Sequence, residues 1–249
     1  MTLPCTARAL VKVARLLAHI VAGLITIHWR FPRLGPSERE AEVQRWARGM
    51  LARLGIALVV EGSPAPAGPL LLVANHISWL DILVVHAARY CRFVSKADVQ
   101  RWPLIGTLAT AAGTLYIARE SPRDAVRMVH HMAESLRAGD VVAVFPEGTT
   151  SDGLALLPFH ANLLQAAISA EAPVQPIALQ FTDSASGATS LAPCYIGDDT
   201  LVASIWRTLC ADPITAVVRF GPPQQALGRD RRRWATDLRE DITRMRPGH

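Results

Sequence analysis

A histidine and an aspartate lie close together at the end of a short apolar segment, and the pair has the composition of an acid/base site. His76 and Asp81 are five positions apart in the string Asn-His-Ile-Ser-Trp-Leu-Asp. The preceding residues 69–74, Pro-Leu-Leu-Leu-Val-Ala, are short, apolar and bounded by turn residues, which predicts a buried strand. The pair therefore lies at a predicted junction between a strand and a helix.

The spacing restricts how the two side chains can meet. Residues five apart on a regular helix point about 140° away from each other, because each residue turns the helix by roughly 100°. A contact therefore requires His76 to lie outside the helix, with Ser78 as the N-cap and Asp81 one turn in. The carboxylate would then accept from one ring nitrogen and leave the other free as a general base. The alternative is that Ser78-x-x-Asp81 is only a capping box and His76 a polar loop residue.

A second carboxylate follows a second short apolar segment. Residues 140–144, Asp-Val-Val-Ala-Val, predict another buried strand, and this strand runs into Phe145-Pro-Glu-Gly-Thr-Thr-Ser151. Glu147 thus lies at the end of that strand, in a turn that contains glycine.

Four blocks of this kind occur in one order along the chain. Lys96, Pro103 and the glycine-bordered string that ends in Thr-Leu-Tyr-Ile-Ala-Arg119 lie between the two motifs, and Val174-Gln-Pro-Ile177 follows them. In this order the blocks resemble the lysophospholipid acyltransferase family, which includes bacterial 1-acyl-glycerol-3-phosphate acyltransferases. The resemblance covers roughly residues 70 to 180. It implies an α/β domain with a central mixed sheet flanked by helices, plus an N-terminal membrane-associating helical pair.

The resemblance also implies roles for individual residues. His76 corresponds to the family's general base and Asp81 to its orienting partner. The acceptor-binding positions of the family correspond to Lys96, Arg119, Glu147 and Gly148. At one point the chain departs from the pattern, because Phe159-His-Ala-Asn162 stands where relatives often have Phe-Lys-x-Gly.

Each acceptor-binding residue has a chemistry that suits its expected role. Lys96 and Arg119 would supply the paired cations that a phosphate monoester needs. Glu147 would accept hydrogen bonds from the polar head of the acceptor and so position the attacking hydroxyl. The backbone N–H groups of Gly148 and Thr149 are the candidates for stabilising an oxyanion.

The implied reaction transfers a fatty acyl group from a thioester, of coenzyme A or of acyl carrier protein, to the sn-2 hydroxyl of a lysophosphatidic acid. No metal and no redox cofactor is expected. No serine or cysteine lies in a nucleophile-elbow context, which favours direct transfer over an acyl-enzyme. Three alternatives stay open: an acceptor such as lyso-ornithine lipid, which lacks phosphate, a lipid-binding protein without turnover, and a hydrolase that uses His76, Asp81 and Glu147 as metal ligands.

Composition predicts one catalytic domain. The chain has 249 residues, half of them apolar, and strand and helix patterns alternate without a linker after Gly55. We expect N-terminal membrane-associating helices over residues 1–54 and the acyltransferase domain over residues 55–249. The four cysteines fall at no metal-binding spacing, so a structural zinc site is not expected.

Charge distribution points to membrane lipid as the partner of this chain and not to nucleic acid. The net charge is +5, and cations flank the apolar run 16–29. Its uninterrupted apolar length falls below the roughly 20 residues of a membrane span, which favours an interfacial helix. The resemblance implies the cytoplasmic face of a bacterial inner membrane.

A second N-terminal helix is expected after Pro36, with Ser37 and Glu40 as a capping box and apolar residues at helical spacing from Val43 to Leu54. The alternative for both helices is that their apolar faces pack on the α/β core. Near the C-terminus, the arginine-rich residues 229–234 are interpreted as a solvated helix face, with attraction to anionic headgroups as the alternative.

Overall fold

The computed structural model describes residues 5–117 and 121–246, and in them a seven-stranded sheet is flanked by helices. The strands are β1 (Ile56–Glu61), β2 (Leu70–Ala74), β3 (Arg92–Lys96), β4 (Leu115–Ile117), β5 (Val141–Val144), β6 (Val174–Asp183) and β7 (Ile214–Phe220). The helices are α1 (Cys5–Trp29), α2 (Pro36–Leu54), α3 (Leu80–Ala88), α4 (Ile105–Ala111), α5 (Pro122–Arg137), α6 (Leu164–Ser169), α7 (Leu201–Cys210) and α8 (Arg231–Arg244). The predicted mixed α/β class is confirmed.

The sheet brings the two carboxylate motifs to one edge. Its strand order is β1-β7-β6-β2-β5-β3-β4, and all neighbours are parallel except β6 and β7. Every residue of β2 is buried, as expected for a central strand covered on both faces. Leu71 of β2 pairs with Val142 of β5, so the two strands end side by side. The residues that follow them, at 75 and at 145, therefore meet at the carboxyl edge of the sheet.

Helix α2 packs on the sheet instead of standing apart from it. Its buried residues Ala47, Met50, Leu51 and Leu54 belong to the same hydrophobic cluster as the strands β1, β2 and β7. The predicted apolar positions are thus confirmed, and the alternative in which this helix covers the core holds. The predicted capping box is wrong. Gly35 is the N-cap, and its N–H donates to Glu38 Oε2 at 2.8 Å, because Pro36 occupies the first helical position.

Helix α1 is longer than its apolar run suggested. The segment Thr6–Arg33 is long and apolar enough to cross a membrane by length and composition, and only 11% of its apolar window is buried inside the protein. At 1.5 Å per residue, the 25 residues of α1 span about 37 Å. Helix length therefore allows either an interfacial or a spanning arrangement.

The C-terminal helix α8 is amphipathic and packs on the core. Asp230 caps it by accepting from the N–H groups of Arg232 and Arg233, and Trp234 is fully buried. Arg232 and Arg233 stay exposed, which agrees with the prediction of a solvated helix face at these positions, whereas Arg231 is half-buried.

Candidate active site

The predicted contact between His76 and Asp81 is present. His76 Nδ1 lies 2.8 Å from Asp81 Oδ2, and His76 precedes α3 in an extended loop. The helix begins at Leu80, later than the expected start after Ser78, and its N-cap Trp79 makes no side-chain cap. Ser78 Oγ accepts from Leu80 N–H, at the first helical residue, at 3.3 Å. It also donates to Pro193 O at 2.5 Å, so Ser78 ties the loop to a distant segment of the chain. His76 folds back as predicted, and Ser78 bonds to the start of the helix from one residue further away than expected.

Asp81 is held in one orientation by backbone donors. Its Oδ2 also accepts from the N–H groups of Ile77 at 2.6 Å and Ser78 at 2.9 Å, and the side chain is fully buried. Three donors thus converge on one oxygen beside the start of α3. Among the described residues the second oxygen, Oδ1, has no hydrogen-bond partner. Asp81 therefore faces His76 as a fixed, buried acceptor.

This contact determines which proton the imidazole carries. A carboxylate accepts from Nδ1–H, which leaves Nε2 with a lone pair. Within the described part of the chain Nε2 has no hydrogen-bond partner, and His76 lines the large cavity described below. The ring stacks on Phe145, with centroids 4.0 Å apart and planes 6° apart. His76 thus presents a basic nitrogen to the cavity while its ring is held on two sides.

Glu147 lies behind His76 and is bonded to the backbone. Its Oε1 accepts from His76 N–H at 2.8 Å and its Oε2 from Leu157 N–H at 2.8 Å. The residue is buried, and burial raises the pKa of its carboxyl group above the ordinary value. This differs from the expectation that Glu147 receives hydrogen bonds from an acceptor, since both oxygens already hold the loops that carry His76 and Leu157. Glu147 fixes the position of the loop that carries His76.

A cavity of about 640 Å³ extends from His76 between the sheet and the N-terminal helices. Its wall is largely apolar and includes Leu16, Ile20, Trp46, Met50, Phe93 and Leu108. A space of this size and lining suits hydrocarbon chains. Because His76 lines the same cavity, a hydrocarbon chain bound there would lie within reach of its imidazole.

The remaining predicted site residues are distributed as follows. Lys96, Gly148 and Thr149 line the cavity together with His76, whereas Glu147 does not. Lys96 ends strand β3 and is exposed. Arg119 lies outside the described residues.

The turn at Gly148 depends on glycine. Gly148 has φ +72°, and a Cβ there would lie 2.9 Å from His160 Cδ2. Its N–H donates to Phe145 O at 3.1 Å, so it would have to leave this bond to serve an oxyanion. Thr149 N–H has no hydrogen-bond partner among the described residues, which makes it the better placed of the two candidates.

Three residues that support the site were not singled out from the sequence. Asn75 exchanges hydrogen bonds with the backbone of Leu179, at 3.1 and 2.7 Å, and joins the motif to β6. Ser151 donates its N–H to His76 O at 2.9 Å. Phe145 supplies the stacking surface. All three directly neighbour the motif residues, so their position was the only signal for them.

The positions of His76, Asp81 and Glu147 give no support to the hypothesis that they bind a metal ion together. In the part of the chain that the structure describes, no three His, Cys, Asp or Glu side chains gather to hold a metal ion. Asp81 Oδ2 and both oxygens of Glu147 accept from backbone N–H groups instead of facing a shared point.

Comparisons with known proteins agree on one family. Residues 57–180 match the family model described as Acyltransferase. A lyso-ornithine lipid O-acyltransferase of Pseudomonas aeruginosa is 35% identical over 94% of this chain and 92% of its own length. A 1-acyl-sn-glycerol-3-phosphate acyltransferase of Neisseria meningitidis is 40% identical over 74% of this chain and 72% of its own length.

A solved structure has the same fold. The crystal structure of the 1-acyl-sn-glycerophosphate acyltransferase of Thermotoga maritima aligns with a TM-score of 0.71 at 19% identity, over 98% of this chain and 97% of that one.

Proposed function

Because this chain belongs to the acyltransferase family, we propose that it transfers a fatty acyl group from a thioester to the sn-2 hydroxyl of 1-acyl-glycerol-3-phosphate and so forms phosphatidic acid. One observation carries the proposal: a histidine oriented by a buried carboxylate lines an apolar cavity large enough for acyl chains. The reaction needs a base and a binding surface for hydrocarbon. It needs no redox cofactor.

His76 performs the proton transfers in this proposal. Nε2 takes the proton of the acceptor hydroxyl while the oxygen attacks the thioester carbonyl carbon. The imidazolium that forms is stabilised by Asp81, 2.8 Å from Nδ1. When the tetrahedral intermediate collapses, the carbon–sulfur bond breaks and the leaving thiolate takes the proton from Nε2. The base is thereby restored.

The developing oxyanion requires a donor near the attacked carbon. Thr149 N–H is the candidate, since it lies in the turn that follows Glu147 and its residue lines the cavity beside His76. Glu147 contributes indirectly, because its two hydrogen bonds hold the His76 loop and the Leu157 loop in place.

A second acceptor has its own support. The relative that covers 94% of this chain is named a lyso-ornithine lipid O-acyltransferase, while the glycerol-phosphate relative covers 74%. Lys96 lines the cavity and suits a phosphate, but one cation alone does not fix the headgroup. Acylation of a lysolipid without phosphate is therefore the second candidate function.

The proposal includes a membrane location, at the cytoplasmic face of a bacterial inner membrane. Helix α1 exposes apolar side chains, and the first 35 residues carry cations but no acidic residue. Such a helix binds anionic bilayers through both features. The donor, a coenzyme A or acyl carrier protein thioester, would then react with an acceptor drawn from the bilayer.

The test measures thiol release from oleoyl-coenzyme A and from oleoyl-acyl carrier protein by the purified full chain. Acceptors are lysophosphatidic acid, lyso-ornithine lipid and lysophosphatidylethanolamine. We expect release that depends on one acceptor and is lost in His76→Ala. The matched control is His131→Ala, which replaces an exposed histidine of α5 and should leave the rate unchanged.

The outcomes separate the candidate functions. If Lys96→Ala raises the KM for lysophosphatidic acid, the phosphate acceptor is supported. If the enzyme acylates lyso-ornithine lipid and Lys96→Ala leaves that reaction unchanged, the second candidate is supported. Release that does not depend on His76 would contradict the proposed chemistry. No release with any acceptor, together with binding of lysolipid, would favour a lipid-binding protein.

A further inference from the structure

The turn before α4 holds a large apolar side chain outward on a strained backbone. Leu104 has φ 63° and ψ −51°, and Ile105 N–H donates to Pro103 O at 2.7 Å, which together define a γ-turn with positive φ at its centre. Such a turn is rare and strained for a residue that has a Cβ. The Leu104 side chain is nevertheless 48% exposed. A strained backbone that exposes an apolar side chain to the surroundings of the protein indicates a functional role for that side chain.

This turn lies at the mouth of the acyl cavity. Trp102 and Ile105 line the cavity and are also exposed, so they form part of its rim. Helix α4 packs against α1, and α1 supplies Leu16 and Ile20 to the wall of the same cavity. The cavity therefore opens between α1 and the turn at residues 102–105.

Helix α1 has a second apolar face that points away from the cavity. Leu17, Val21, Ile25 and Trp29 recur every four residues and are all more than half exposed. One apolar stripe of α1 lines the cavity and the other faces away from the protein. Such a helix separates the cavity from an apolar environment outside. The exposed turn lies on the other side of the opening.

Charge identifies that apolar environment as a bilayer. Exposed cations border both apolar elements: Arg15 and Arg33 on the side of α1, and Arg101 next to the turn. Arg30 is paired with Glu42 at 3.2 Å. No acidic residue occurs in 5–35, and the acidic residue that most closely precedes the turn is Asp98, three residues before Arg101. Apolar side chains bordered mainly by cations match the acyl and headgroup layers of an anionic membrane.

We propose that the turn at residues 102–105 is a second membrane contact, which inserts Leu104 into the bilayer and opens the acyl cavity toward it. This inference rests on the proposed function, because it describes how a lysolipid acceptor passes from the membrane to His76. Helix α1 and the turn form the two sides of that passage.

The test measures partitioning of the full chain into vesicles of phosphatidylcholine with phosphatidylglycerol, by flotation over a lipid titration. Leu104→Gly removes the apolar side chain and also relieves the backbone strain, so thermal stability should hold or rise. We expect partitioning to weaken about fivefold in Leu104→Gly, as for loss of a partly buried leucine, and more strongly in Leu104→Asp. Arg101→Gln should weaken partitioning on anionic vesicles only.

The chain offers a matched control in Leu227. This leucine also has positive φ, at 50°, is 86% exposed and does not line the cavity. Leu227→Gly should leave vesicle binding unchanged. Equal binding by the Leu104 and Leu227 variants would overturn the proposal. So would a Leu104→Gly variant that binds vesicles normally but loses turnover with acyl carrier protein alone, since the turn would then contact a protein.

Partitioning requires no turnover, so this test is separate from that of the proposed function. Vesicle binding that depends on Leu104 in a chain without acyl transfer would leave the membrane contact standing and reject the reaction. An active enzyme whose vesicle binding does not depend on Leu104 would support the reaction and reject the membrane contact.

Discussion

Replacing Asp81 by Asn isolates the charge that the structure places beside His76. The two side chains have the same shape, and the asparagine oxygen can still accept from the N–H groups of Ile77 and Ser78, which now donate to Oδ2. Asp81 is fully buried, so its side chain makes no contact with a substrate in the cavity. The substitution therefore removes the negative charge while it leaves the loop and the binding surface in place.

The size of the effect follows from the geometry. His76 Nδ1 and Asp81 Oδ2 are 2.8 Å apart, and because both charges are delocalised their centres are about 4 Å apart. At an effective dielectric constant of about 20, two unit charges at that distance attract by about 4 kcal/mol. The imidazolium forms only as the acceptor hydroxyl is deprotonated, so this stabilisation is lost from the transition state and not from the ground state. A loss of about 4 kcal/mol corresponds to a decrease in kcat of about 1,000-fold.

The assay is thiol release under saturating donor, with kcat and the KM for the acceptor measured separately. We expect kcat to fall in Asp81→Asn with little change in KM, and the unfolding midpoint in urea to stay near that of the wild type. Glu61→Gln, which breaks an ion pair between β1 and β7, serves as the control. A decrease in kcat of less than about tenfold would refute the argument. So would a change confined to KM.

Three further predictions concern the surroundings of the base. Glu147→Gln places an amide NH₂ against a backbone N–H, of His76 or of Leu157, and should lower the free energy of unfolding by about 1–3 kcal/mol in urea titrations. Burial raises the pKa of Glu147 above 4.5 in the folded state. Between 4.5 and the folded pKa the folded state therefore binds the proton more readily than the unfolded state does, and the free energy of unfolding falls as pH rises. Glu147→Gln should lose this pH dependence in unfolding curves measured across that range. Arg239→Gln, which removes the donors to the Leu157 carbonyl, should lower kcat more than it raises KM, and Arg239→Lys should recover part of the loss in the same assay. Ala109→Phe narrows the cavity and should lower the preference for oleoyl over decanoyl thioester about tenfold in competition assays.

The strands and their ends could be predicted from the sequence because their signals are local. Leu70–Ala74 and Val141–Val144 are short apolar runs bounded by turn residues, and both form strands close to the expected positions. The contact between His76 and Asp81 also followed from local geometry, since only a histidine outside the helix can reach that carboxylate. The start of α3 was placed one residue too early, although Ser78 Oγ does bond to the first helical N–H, of Leu80. The second bond of this hydroxyl, to Pro193 O, could not be predicted because Pro193 is distant in sequence.

The role of Glu147 and the shape of the cavity could not be predicted in this way. Glu147 is bonded to His76 N–H, on a different strand end, and to Leu157 N–H, ten residues later. Neither partner is fixed by spacing, because each depends on which strands are neighbours in the sheet. The cavity has the same origin: its wall combines α1, α2, α4 and the ends of β3 and β5, and no single segment shows a sign of it.

The support of the base extends past the region that the family model covers. That match ends at residue 180, yet Arg239 on α8 donates to Leu157 O at 3.1 Å and to Leu156 O at 2.6 Å. Leu157 is thus held from two sides, through its carbonyl by α8 and through its N–H by Glu147. Glu147 in turn holds the backbone of His76, so the position of the base depends on a helix more than 150 residues further along the chain. A histidine on a loop gains its rigidity from such bonds, and in this protein α8 helps to hold the proposed base in position.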